Sequence, residues 1–173
     1  LFQALVGHFH DLPIVAEDLG TITQGVRDLM DRFRLPGMKL LVFAFSDDLA
    51  TNPYVPHNHV KNCLIYTGTH DNNTVRGWFE TELTEDDKAR LTRYLGREVD
   101  QERIHEEMVR LAMMSVANTA ILPMQDLLGL GEEARMNRPA RSDGNWQWQL
   151  VPEQLRPELG RELREMTETY GRL

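Results

Sequence analysis

The segment Cys63-Leu64-Ile65-Tyr66-Thr67-Gly68-Thr69-His70-Asp71-Asn72 runs directly from apolar residues into a polar turn. Its apolar part has the length of a short strand and is too short for an ordinary helix. Three other apolar runs are also followed by polar or turn residues, at positions 12–16, 38–45 and 120–123. Such runs are typical of parallel strands that are buried on both faces. The chain is therefore predicted to have an α/β fold.

Helical patterns lie between these runs. Thr23 is a candidate N-cap, and Val26, Leu29, Met30 and Phe33 follow it at helical spacing. A helix between two strands fits a right-handed βαβ unit. The same reasoning predicts three further helices, after a capping box at Thr84 and Asp87, along Ile104, Met108 and Leu111, and after Pro157.

Polar side chains follow each predicted strand. In parallel α/β folds, sites are built where the strands end, so we expect Glu17, Asp18, Asp71, Gln125 and Asp126 to gather at one rim. Two carboxyl groups that face one pocket are what glycosidic-bond chemistry needs. The alternative at this point is that Glu17 caps the following helix and that Asp71 pairs with Arg76.

Composition narrows the class of protein. The 173 residues carry a formal charge of −8, and Lys and Arg form no segregated patch, which argues against binding to nucleic acid or to an anionic membrane. The single cysteine, Cys63, excludes an intrachain disulfide. We see no signal peptide and no apolar run long enough to span a membrane, so a cytoplasmic location is expected.

Two histidine pairs have spacings that could hold a metal. They are His8 with His10, beside Asp11, and His57 with His59. Neither pair has an evident third ligand, so hydrogen bonding is the favoured role and no metal site is predicted.

Several segments, in this order, closely resemble the 4-α-glucanotransferases, also called amylomaltases or disproportionating enzymes, of glycoside hydrolase family 77. The resemblance runs over essentially the whole chain. The segments are 14–20 (IVAEDLG), 35–39 (LPGMK), 52–58 (NPYVPHN), 67–72 (TGTHDN), 125–131 (QDLLGLG), 134–139 (ARMNRP) and 145–148 (NWQW).

The resemblance implies a (β/α)₈ barrel in which residues 1–173 form the C-terminal half, strands five to eight, with the upstream half absent. It implies an enzyme that moves α-1,4-glucan segments between malto-oligosaccharides, or to glucose, by double displacement with retention and without an organic cofactor. It also implies site residues: Glu17 as general acid/base, Asp71 as the transition-state-stabilising aspartate, and His70, Phe43, Asp47, Asn58, Asn72 and Asn137 as substrate contacts.

The family's nucleophile is an aspartate in an Arg-x-Asp-His type segment, which does not occur here and is expected upstream of Leu1. We therefore expect the chain alone to be inactive. Half a barrel would expose two sheet edges, so we also expect self-association, as a dimer.

Other roles remain open in the sequence. The chain could be a non-catalytic module that binds α-glucans or regulates an enzyme. A sugar-phosphate barrel enzyme is disfavoured because no Gly-rich phosphate loop is present. Trp146 and Trp148 could stack on sugar rings or could close the barrel.

Overall fold

Three parallel strands form the sheet of the computed structural model, which describes residues 1–9 and 13–172. In order across the sheet they are β1 (Gly37–Leu40), β2 (Cys63–Tyr66) and β3 (Thr119–Ile121). Leu40 is the register partner of Tyr66, and Tyr66 is the register partner of Ile121. Because the strands end side by side, the loops that follow them leave the sheet at the same end, as the sequence predicts.

Helices surround the sheet over the described ranges. They are α1 (Phe2–His8), α2 (Gln24–Phe33), α3 (Val75–Thr81), α4 (Glu85–Leu95), α5 (Ile104–Met114), α6 (Met124–Leu127) and α7 (Pro157–Thr169). The helix predicted after Thr23 is α2, and the helix predicted along Ile104, Met108 and Leu111 is α5. The helix predicted at Pro157 is α7, and the capping box of Thr84 and Asp87 is confirmed at the start of α4. Within the described residues, no helix combines the length and the apolar character that crossing a membrane requires.

The core lies where β2 and its neighbours meet α3 and α5. Phe45, Ile65, Ile104 and Met108 are completely buried there. α5 contacts α3, α6 and α7, so it ties the helices on either side of the last strand to one another. The loop after β2 is thereby fixed between a buried strand and a packed helix.

Two predicted strands differ from the structure. Residues 13–16 form no strand, and Leu12 lies outside the described residues. The backbone N–H of Ala16 donates a hydrogen bond to Pro36 O, directly before β1, at 2.9 Å. The physical reason is that the Asp18 carboxylate, rather than a backbone carbonyl, accepts the bond from Met38 N at 2.6 Å. The run 38–45 is a strand only to Leu40 and then turns into a 3₁₀ helix.

Gly37 allows this contact. A methyl carbon at Gly37 would lie 2.6 Å from Asp18 Oδ2, so we expect Gly37→Ala to lower the free energy of unfolding by about 1–3 kcal/mol. Urea unfolding measures the change. Gly25→Ala is the matched control, because Gly25 lies in α2 with open space around it and alanine there should add about 0.5–1 kcal/mol. Equal effects of the two substitutions would contradict the steric argument.

Candidate active site

An open cleft of about 630 Å³ lies beyond the ends of the strands. Five predicted site residues line it, namely Glu17, Phe43, His70, Asp71 and Asn72. Its apolar wall includes Met38, Leu40, Tyr66 and Leu122. The prediction that Glu17 and Asp71 share one pocket is confirmed, whereas their chemical roles stay predictions.

Glu17 is held between two anchored neighbours. The backbone N–H of Ala16 donates to Pro36 O, and the Asp18 carboxylate accepts from Met38 N and lies 3.9 Å from Lys39 Nζ. Glu17 itself is exposed and lines the cleft. Contrary to the prediction, Asp18 therefore does not join the rim, because its carboxylate accepts a hydrogen bond from Met38 at the start of β1.

Asp71 is oriented by its own neighbours. Its Oδ1 accepts a hydrogen bond from Asn137 Nδ2 at 2.6 Å and lies 3.3 Å from His70 Nε2. The side chains of Asp71 and His70 are 49% and 57% exposed, so both remain open to a ligand. Asn137 also donates its backbone N–H to His70 O at 3.0 Å. Asn137, predicted as a substrate contact, thus touches the aspartate directly.

Both alternative roles of the two carboxyl groups are wrong. The N-cap of the helix after Glu17 is Thr23. Arg76 donates its Nη1 to Gly129 O at 2.9 Å, while Asp71 pairs with Asn137 and His70. The cleft-facing arrangement is therefore the one that the fold produces.

Asn72 shapes the turn that carries these residues. Its Oδ1 accepts from both the backbone N–H and the hydroxyl of Thr69, at 2.8 and 2.9 Å. Such a local bond from the side chain back to the main chain fixes a loop without regular structure. The predicted substrate contact Asn72 thus has an evident structural role, and its contact with a substrate stays a prediction.

Gln125 and Asp126 turn inward, contrary to the prediction that they join the rim. Asp126 is 2% exposed; its carboxylate accepts from Thr67 Oγ1 at 2.5 Å and from the backbone N–H of Val75 at 2.8 Å. Burial raises the pKa of Asp126 to about 6, against the lowering effect of these two bonds. Gln125 donates to Ala134 O. Both line a smaller cavity of about 120 Å³ together with His70.

Asp47 lies in an adjoining cleft of about 400 Å³. Phe43 lines both clefts, and its ring meets that of Tyr54 edge-on at 5.5 Å. Asn58 lines neither cleft in the part of the chain that the structure describes; its amide donates to Ala50 O and Asn52 O, at 3.2 and 2.9 Å. The structure thus brings Asp47 next to the main site and leaves Asn58 within the loop behind it.

Arg135 is a site residue that sequence reasoning missed. It donates Nη2 to Asp71 O and Nε to Asn137 O, both at 2.9 Å. Its Nη1 lies 3.3 Å from Glu82 Oε1. A single arginine in a loop has no pattern that could reveal its bonds to Asp71 and Glu82, because these two residues lie far from it in the sequence.

Trp146 stands beside His70. The two rings lie 5.2 Å apart, Trp146 is 60% exposed, and its backbone has a left-handed φ of 60°. The backbone N–H of Trp146 donates to Met136 O at 2.7 Å, which holds this loop against the segment of Asn137. An exposed aromatic ring at the site fits the stacking role considered for it, whereas Trp148 is half-buried.

His57 and His59 make side-chain hydrogen bonds, whereas the ring of His8 meets that of Phe9 edge-on. His59 bonds Ser115 Oγ at 2.8 Å and Tyr54 O at 2.9 Å, and burial lowers its pKa. His57 stacks on Tyr94. His10 and Asp11 lie outside the described residues, and the remaining residues hold no cluster that could bind a metal.

Comparisons with known proteins agree on one family. A sequence model of the family described as 4-alpha-glucanotransferase matches residues 1–154. The chain is 48% identical to a 4-alpha-glucanotransferase of Thermus thermophilus, aligned over 100% of this chain and 35% of that protein. It is 51% identical to the 4-alpha-glucanotransferase of Synechocystis, over 99% of this chain and 34% of that protein.

A solved structure resembles the fold described above. The amylomaltase of Streptococcus agalactiae in complex with acarbose has a TM-score of 0.92 and 38% identity, over 99% of this chain and 34% of that chain. The chain therefore spans about a third of the length of the relatives that it matches.

Proposed function

The chain belongs to the 4-alpha-glucanotransferase family, glycoside hydrolase family 77, and on that premise we propose that it carries part of the active site of a retaining 4-alpha-glucanotransferase. Because the chain spans about a third of the length of its relatives, we infer a longer polypeptide that contains it and call that polypeptide the parent enzyme. The parent enzyme would transfer α-1,4-glucan segments between malto-oligosaccharides, or to glucose. The observation that carries this proposal is that Glu17 and Asp71 line one open cleft.

The two carboxyl groups have different proposed roles. Glu17 would protonate the glycosidic oxygen as it leaves and then take the proton from the acceptor hydroxyl. Its side chain is exposed and lines the cleft, so it can reach a bound substrate. Asp71 would bind hydroxyl groups of the reacting sugar as positive charge develops, and its bond from Asn137 supports that fixed orientation.

The proposed substrate contacts follow from position. His70 and Asn72 would face the reacting sugar beside Asp71, and Phe43 and Asp47 would face the acceptor, since Phe43 lines both clefts and Asp47 lines the second. An acarbose-bound amylomaltase of the same fold supports an oligosaccharide as the ligand. Asn58 and Asn137 would act on the substrate through the loops that they hold.

We further propose that residues 1–173 supply strands five to eight of a (β/α)₈ barrel and that the nucleophilic aspartate lies in the upstream half. In the described structure β1 and β3 each pair with one strand, and Val15 and Ile121 are about two-fifths exposed beside them. Open edges and apolar side chains of this kind favour association, so the isolated chain would form dimers.

The test is to incubate the isolated chain and the parent enzyme separately with maltotriose. We expect the parent enzyme to release glucose together with longer oligosaccharides, and we expect the isolated chain to give no product. Sedimentation equilibrium of the same chain sample should give the mass of a dimer. Product from the chain alone would contradict the missing nucleophile, and a monomer at high concentration would contradict self-association. A parent enzyme that binds maltotriose without converting it would instead support a glucan-binding module.

A further inference from the structure

We propose that Arg135 is the positioning residue of Asp71, an inference that rests on the proposed function. Arg135 does not reach Asp71 through the carboxylate. Its Nη2 donates to the backbone oxygen of Asp71 at 2.9 Å, so it holds the main chain from which that carboxylate projects.

The same guanidinium holds the second partner of the aspartate. Its Nε donates to the backbone oxygen of Asn137 at 2.9 Å, and the amide of Asn137 donates to Asp71 Oδ1 at 2.6 Å. Asn137 N also donates to His70 O at 3.0 Å. Arg135 therefore fixes both ends of the Asn137–Asp71 hydrogen bond, and the two loops can shift relative to each other only if its bonds break.

The position of Arg135 is itself fixed. Its Nη1 pairs with Glu82, which directly follows α3, and its side chain is only 15% exposed. The side chain of Glu82 is 44% exposed, so solvent partly screens this pair, and the two backbone bonds contribute more to the clamp. The clamp thus joins the active-site loops to a packed helix rather than to another loop.

The chemistry of the clamp requires arginine. Three different nitrogen atoms of one plane reach three acceptors on Asp71, Asn137 and Glu82. A lysine ammonium is a compact point charge on a flexible stem and does not reproduce this fork. A loss of the fork would leave Asp71 charged and present but free to move, and a displacement of about 1 Å can cost about 100-fold in rate.

The test compares Arg135→Ala, Arg135→Lys and Arg138→Ala in the parent enzyme with maltotriose as the substrate. Arg138→Ala is the matched control, because Arg138 lies in the same loop and pairs with Glu132. We expect Arg135→Ala to lower kcat about 100-fold with little change in KM, Arg135→Lys to fall between Arg135→Ala and the unchanged enzyme, and Arg138→Ala to retain full kcat. A kcat of Arg135→Ala equal to that of Arg138→Ala overturns the proposal, as does a purely KM effect.

Hydrogen exchange separates this inference from the proposed function. The amide of Asn137, which bonds His70 O, should exchange faster in Arg135→Ala than in Arg138→Ala, while the amides of α5 keep their protection. If the unchanged parent enzyme shows no transfer, the proposed function fails and the exchange result alone decides the positioning. Equal exchange of the Asn137 amide in the two variants overturns the proposal that Arg135 positions Asp71. If Arg135→Ala does not fold, Arg135→Lys decides, and unchanged kcat and exchange in that variant overturn the proposal.

Discussion

Replacing Glu17 by glutamine lowers kcat of the parent enzyme on maltotriose by about 10³-fold, within the range that general acid–base catalysis supplies. Glutamine keeps the size and the hydrogen-bonding reach of the side chain but cannot donate a proton to the leaving glycosidic oxygen. The anchors on either side, Ala16 to Pro36 and Asp18 to Met38, involve no atom of Glu17. We therefore expect the fold to be unchanged, which circular dichroism and urea unfolding check.

The leaving group separates proton donation from other roles. Fluoride needs little protonation in order to leave, so α-maltosyl fluoride should be cleaved by Glu17→Gln far faster than maltotriose, relative to the unchanged enzyme. Asp71→Asn should lose activity on both substrates, because its proposed role does not depend on the leaving group. Glu162→Gln, an exposed substitution on α7, is the matched control and should keep full activity. Equal losses of Glu17→Gln on the two substrates would contradict the role of Glu17 as acid.

The place of Asp71 in the cleft follows from general rules that apply to a sequence alone. Short apolar runs gave the parallel strands that hold the site, and parallel strands present their C-terminal ends together. The register of Leu40, Tyr66 and Ile121 fulfils this expectation. Asp71, which follows β2, could therefore be assigned to this end of the sheet without knowledge of any contact. Glu17 lines the same cleft although residues 13–16 form no strand, because the bond from Ala16 N to Pro36 O holds its segment there.

The direction of each side chain at that end could not be predicted in the same way. Asp18 turns to Met38 N and Asp126 turns to Thr67 and Val75, because each finds an unpaired donor within reach. Such donors exist only once the strands and helices are packed. Arg135 is the same case, since the loop of its acceptor Asp71 meets the loop of Arg135 only in the fold. Periodicity predicts which elements form, whereas long-range hydrogen bonds decide which polar residues face the cleft.

Replacing Asp126 by asparagine should stabilise the chain relative to the unchanged protein as the pH rises. Burial raises the pKa of Asp126 from 3.8 to about 6, so the folded state favours the protonated acid more than the unfolded state does. Below about pH 3 the group is protonated in both states and costs nothing. Above about pH 7 it is ionised in both, and the burial of the charge costs about 3 kcal/mol, at about 1.4 kcal/mol for each pKa unit.

Asparagine cannot ionise, yet it keeps the contacts that the site needs. Its Oδ1 can accept from Val75 N, and its Nδ2 can donate to the hydroxyl oxygen of Thr67, which reverses the direction of that bond. The difference in the free energy of unfolding, Asp126→Asn minus unchanged chain, should therefore rise by about 2.5 kcal/mol from about pH 4 to about pH 7.5. Urea unfolding across this range measures it.

Asp87→Asn is the control for this pH dependence. Although burial raises it, hydrogen bonds from Thr84 and Arg90 leave the pKa of Asp87 below its ordinary value. Asp87 is therefore ionised in both states above about pH 5, so the difference between its variant and the unchanged chain should stay constant from about pH 5 to about pH 7.5. Any change below about pH 5 should have the opposite sign to the one expected for Asp126→Asn. A constant difference for Asp126→Asn as well would mean that its charge is buried without cost. In that case the bonds from Thr67 and Val75 would stabilise the carboxylate fully, and Asp126 would anchor the loop of Asp71 as an ion.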